Sequence, residues 1–111
     1  MEKIITIDGK QVKLKSNGAL PLRYKMQFGR DAFQDIVKLT KVKVEGEETL
    51  DISQLDLEVF YNFVWVLAKT GDPSIPPLLD WLEAFDNFPI IEIIPEIMDM
   101  ITSNLQTSKK K

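Results

Sequence analysis

The sequence predicts an α+β chain, mainly helical, in which an N-terminal β-hairpin is followed by about five helices packed around a central apolar helix. Three observations predict it. Asp8-Gly9 lies in the stretch "KIITIDGKQVKLK", before a strand on which apolar residues alternate. From Val59 to Ala68 only Tyr61 and Asn62 are polar. Proline and glycine then cut the remaining sequence into helix-length segments.

The hairpin is read over residues 3–15, "KIITIDGKQVKLK". Asp-Gly closes two-residue hairpins because both positions accept positive φ. On the return strand Val12 and Leu14 alternate with Lys13 and Lys15, which puts one face inward. A lone hairpin is marginal in water, so this one must pack on helices or join a further strand.

The helical part is read over residues 21–105, after a loop "SNGALP" whose Pro21 suits a first helical turn. "PLRYKMQFG" reads as a short helix with Leu22 and Met26 inward, Tyr24 and Phe28 as further inward candidates, and Gly29 as C-cap. Asp31 caps a second helix, "DAFQDIVKLTKV", whose Phe33, Ile36, Val37 and Thr40 follow i, i+3, i+4, i+7 spacing. Residues 43–53 form a polar, acidic connection. Ser53, with Asp56 three residues on, is expected to cap the central helix, which Gly71 ends. A helix apolar on nearly all sides is a buried one. After "DPSIPP", Pro77 opens the helix "PLLDWLEAF", with Leu78, Leu79, Leu82 and Phe85 as its inward face and Asp86-Asn87 as its end. Pro89 starts the last helix, with Ile90, Ile94, Ile97, Met98, Ile101 and Leu105 on one face and Glu92, Glu96 and Asp99 on the other; Pro95 falls inside the first turn or at a kink. Residues 107–111 read as a flexible basic tail on a single domain of residues 1–106.

Composition narrows the chemistry. The chain has neither cysteine nor histidine. Without them there is no disulfide framework, no thiol nucleophile, no Ser-His-Asp triad and no zinc site of the usual kinds. The N-terminal stretch is charged throughout, unlike a signal peptide, and no apolar run is long enough to span a bilayer. Charge is divided along the chain. Residues 1–44 hold ten basic residues against four acids, residues 45–106 one base against thirteen acids, and the last five residues three lysines. The two halves can pair within the chain or between copies. The basic residues are spread thinly and no glycine-rich loop accompanies them, so nucleic acid is not expected as a partner.

Candidate sites are few. Asp80, Glu83 and Asp86 form a single helical row, as do Glu92, Glu96 and Asp99. Metal or glycosidase chemistry needs carboxylates converging from different elements, so these rows read as solvated faces. Tyr24 and Lys25 have no neighbour in sequence that would lower either pKa. Trp65 reads as core. Trp81 reads as core or part-core, with a competing reading as a protein-binding anchor rimmed by acids.

Three stretches together resemble one family: "ITIDGKQVKLK", "LPLRYKMQFGRDAFQDIVKL" and "VFYNFVWVLAKTGDPSIPPLLDWLEAFDNFPIIEIIPEI". The family is the small tail assembly chaperones of long-tailed phages and prophages of Gram-positive bacteria. The resemblance implies a non-enzymatic protein, without cofactor or metal, that acts in the host cytoplasm and is absent from the finished virion. It implies as partner the tape measure protein, kept soluble until tail tube subunits polymerise around it, with the tail tube protein and further copies of the chain as additional contacts. It also implies a longer frameshifted product, to which the "SKKK" lysines correspond if their codons form a slippery run. Under this reading Asp80, Trp81, Glu83, Phe85 and Phe88 are the candidate partner groove. The alternative is a structural tail or head–tail component that stays in the particle; the single hairpin counts against a strand-rich tail-tube fold.

Overall fold

The computed structural model describes residues 1–40 and 56–102, and the architecture is the one the sequence predicts. Two antiparallel strands, β1 (Glu2–Ile7) and β2 (Lys10–Lys15), precede five helices: α1 (Leu20–Phe28), α2 (Ala32–Thr40), α3 (Leu57–Gly71), α4 (Leu78–Glu83) and α5 (Ile90–Thr102). No helix among the described residues is long and apolar enough to cross a membrane. Ser53, the 43–53 connection, Leu105 and the 107–111 tail lie outside the described residues, as does the side chain of Thr40.

Asp8 (φ 54°) and Gly9 (φ 78°) both take the left-handed conformation of a type I′ turn. The register that follows pairs Ile7 with Lys10, Ile5 with Val12 and Lys3 with Leu14. Ile5, Ile7, Val12 and Leu14 are buried, while Ile4, Thr6 and Lys13 face solvent. The buried face lies on the helices, which supplies the support a two-stranded sheet needs.

Helix α3 is the centre. It contacts β2 and the other four helices. Val59, Phe60, Phe63, Val64, Trp65, Val66, Leu67 and Ala68 are all buried. The N-cap differs from the expected Ser53: Asp56 accepts from the Val59 N–H at 3.2 Å. An acid there also meets the positive end of the helix dipole. At the other end α3 runs against β2 so closely that a Cβ on Gly71 would lie 2.4 Å from the Lys13 carbonyl oxygen. Gly71 therefore permits the contact between helix and sheet, as well as closing the helix.

The first two helices are rotated from their expected orientations. On α1, Leu20 and Tyr24 are buried, whereas Leu22 (62%) and Met26 (77%) are exposed. On α2, Ala32, Ile36 and Leu39 face the core, and Phe33 and Val37 face outward. Both helices carry apolar residues on two stripes, so spacing alone does not choose between them. The caps do follow expectation. Gly29 (φ 71°) donates its N–H to the Lys25 carbonyl, and Asp31 Oδ1 accepts from the Phe33 N–H at 2.9 Å. Helix α5 buries Ile93, Ile94, Ile97, Met100 and Ile101. Ile90 and Met98, expected in the core, are only half-buried. Pro95 lies within α5, in its second turn.

Candidate functional site

Of the five residues singled out by sequence, Asp80, Trp81 and Glu83 lie on α4, and Phe85 and Phe88 follow it, because the helix ends at Glu83 and not at Asp86-Asn87. Asp80 and Glu83 are exposed, as a solvated row should be. Trp81 is 6% exposed, a core residue. Leu79, expected inward, is instead 67% exposed, because α4 turns its tryptophan to the core in place of that leucine. Phe85 and Phe88 are half-buried and pack edge-on with Trp81, at centroid distances of 5.3, 5.8 and 5.4 Å among the three rings. Such geometry adds about 0.5–1.5 kcal/mol per pair beyond area burial.

This aromatic group is already engaged by the chain itself. Lys10, at the start of β2, donates to the Ala84 carbonyl and lies 5.2 Å over the Phe85 ring. Asp8, in the hairpin turn, accepts from the Asp86 N–H at 2.8 Å. The hairpin tip thus fastens onto the end of α4. The prolines before α4 are held in the same way: Trp65 Nε1 donates to the Pro76 carbonyl, and Lys69 Nζ donates to those of Pro73 and Ile75. The 72–89 segment is built into the fold by its own chain, and Trp81 offers no free face to a partner.

A second polar group was not legible in the sequence. Tyr24 Oη donates to Asp35 Oδ2 at 2.6 Å, Arg30 grips the same carboxylate with Nε at 2.6 Å and Nη2 at 3.0 Å, and Asn62 Nδ2 lies 3.5 Å from Tyr24 Oη. Burial pushes the Asp35 pKa up, but the hydrogen bonds from Arg30 and Tyr24, with the charges of Arg30 and Lys38, outweigh it and hold the carboxyl below its usual range. Burial first, and the hydrogen bond to Asp35 second, raise the Tyr24 phenol above its ordinary value. Both side chains are effectively closed to solvent, Tyr24 at 0% and Asp35 at 3% exposure. The group is therefore a structural tie between α1, α2 and α3. No buried side-chain polar atom among the described residues lacks a partner, and no cluster of carboxylates there could hold a metal ion.

The most exposed large apolar side chain among the described residues, Met26, lies on α1. Leu22 and Met26 stand one helical turn apart on its outer side. Met26 borders a shallow cleft of about 370 Å³ between α1 and α3, floored by Trp65 and Val66 and flanked by the cations Arg23 and Lys69. Arg23 has no carboxylate partner among the described residues. Sequence reasoning missed these two anchors because it placed them in the core. The available signal was the competing stripe Leu20, Tyr24 and Phe28, which also recurs every fourth residue.

No protein-family model, no curated protein and no solved structure gives a significant match to this chain.

Proposed function

We propose that this protein is a non-enzymatic tail assembly chaperone of a long-tailed phage or prophage, binding the tape measure protein in the host cytoplasm until tail tube subunits replace it. Within the structure, the observation that supports the reading is the outward pair Leu22 and Met26, of which Met26 borders the α1–α3 cleft. A client helix docks by laying apolar residues spaced i and i+4 into such a groove. Arg23 and Lys69 at its edges favour a client helix that carries carboxylates beside its apolar stripe. The area is small, which suits a contact that must be released when the tube polymerises.

The proposed contact has moved from the aromatics of α4, which the hairpin tip occupies, to α1. Two experiments test the reading. Purified phage particles should lack the protein while lysates of producing cells contain it; a stoichiometric amount in finished particles would instead make it a structural tail component. Affinity-tagged protein should co-purify the tape measure protein of the same phage, and Leu22→Ser Met26→Ser should lose it.

A further inference from the structure

The hairpin has two outer edges, and the fold treats them differently. Next to the two-residue turn, Ile7 and Lys10 exchange backbone hydrogen bonds, so the ladder uses residues 7, 5 and 3 of β1. The same alternation continues to Ser16, whose N–H donates to the Met1 carbonyl at 2.8 Å. The N–H and C=O groups of Glu2, Ile4 and Thr6 consequently point away from β2, and on β2 those of Gln11, Lys13 and Lys15 point away from β1. The β2 edge is closed by α3, where Gly71 abuts the Lys13 carbonyl. No backbone partner meets the outward groups of Ile4 or Thr6 among the described residues.

Beside that open edge lies a groove of about 210 Å³. Its near wall is Ile4, Ile5 and Thr6, and its far wall is Pro89 and the start of α5, with Glu92, Ile93 and Glu96. Glu96 is shared with Lys3 at 3.4 Å, but Glu92 has no ion pair among the described residues. The exposed face of α5 carries Asp99 further along, with Ile91 and Pro95 among its acids, and the described residues of the helix include no base. Exposed strand edges are normally blunted by charge, proline or a covering element. Here one edge is covered and the other opens onto an acid-lined shelf.

We propose that β1 is a docking edge for an extended segment of a partner protein in which basic and apolar residues alternate. The segment adds as a third strand, about 4.8 Å from β1, exchanging main-chain hydrogen bonds with Ile4 and Thr6. Its apolar side chains rest on the half-buried Pro89, and its lysines or arginines meet Glu92. The site is separate from the α1–α3 cleft and does not depend on the chaperone reading.

The test uses the peptide acetyl-Lys-Val-Lys-Ile-Lys-Thr-Lys-amide on isotope-labelled full-length protein, followed by NMR. The Ile4 and Thr6 amides should exchange fast in the free protein and at least ten-fold more slowly with excess peptide. The amides of Ile5 and Ile7, already paired to β2, should not change. Thr6→Pro removes an outward N–H without touching the ladder. It should keep the parental melting behaviour and weaken the peptide about ten-fold, the effect of one main-chain hydrogen bond and the blocked approach. Glu92→Lys should weaken it about three-fold or more. Unaltered exchange at Ile4 and Thr6, equal binding by Thr6→Pro, or equal binding of the glutamate analogue of the peptide would overturn the proposal. So would protection of Ile4 and Thr6 that grows with protein concentration alone, since a second copy would then fill the edge.

Discussion

Replacing Gly71 by alanine probes the junction between the central helix and the sheet. A Cβ there would sit 2.4 Å from the Lys13 carbonyl oxygen and 2.9 Å from its carbonyl carbon. Ordinary carbon–oxygen contact lies about 1 Å further out, and the obstructing atoms are backbone, which no rotamer change can move aside. Either the last turn of α3 or the whole of β2 must shift. Overpacking of this kind costs about 1–3 kcal/mol. The better helix propensity of alanine returns about 0.5–1 kcal/mol, so the net loss is about 1–2 kcal/mol. For a domain of this size that lowers Tm by roughly 5–15 °C. Gly18→Ala is the matched control, because a Cβ there meets nothing within 4 Å and its φ is not positive; it should be neutral or stabilise by up to about 1 kcal/mol. Urea titrations followed by circular dichroism measure both. A Gly71→Ala variant as stable as Gly18→Ala would refute the docking of α3 on β2 as described.

Other perturbations have equally definite outcomes. Trp81→Ala, removing a 6%-exposed indole from its contacts with Phe85 and Phe88, should cost about 3–5 kcal/mol in chemical denaturation; a loss below about 1 kcal/mol would put the ring at the surface. Asp35→Asn should cost about 1–2 kcal/mol near neutral pH, since it removes the charge that Arg30 grips. The folded pKa of Asp35 lies below the unfolded value of about 3.9. Its contribution is therefore present above that value and lost as pH falls through the folded one, so the gap between parent and Asn variant should be constant near neutral pH and shrink once the pH drops below about 5; a gap that widens contradicts the assignment. Leu22→Ser Met26→Ser should leave Tm within about 5 °C of the parent, because surface substitutions rarely exceed ±0.5 kcal/mol each, and a larger fall would mean that the pair is packed.

Much of the fold was legible because its signals were chemically narrow. Asp8-Gly9 has few uses besides a tight turn, and a ten-residue stretch as apolar as 59–68 has no stable place except the core. Gly29 and Asp31 were read correctly for the same reason. The orientations of α1 and α2 were less legible because each offers two apolar stripes. The choice is made by tertiary partners distant in sequence: Tyr24 turns inward to meet Asp35, Phe63 and Asn62. The surroundings of the candidate groove at α4 were hidden in the same way. Its acids and aromatics could be read along the sequence, but Lys10 and Asp8, which occupy its end, come from more than seventy residues away. The open β1 edge follows from hairpin parity only once Gly71 is known to cover the other side.

The central proposal is that this chain keeps a tape measure protein soluble through the exposed surface of α1. The most direct measurement is the soluble fraction of that tape measure protein when expressed alone, with the parent chain, and with Leu22→Ser Met26→Ser. The account predicts a mostly insoluble client alone, a soluble co-purifying client with the parent, and a return to insolubility with the double variant at equal expression and unchanged Tm. Equal rescue by both chains would remove α1 from the contact, and no rescue by either would contradict the chaperone reading.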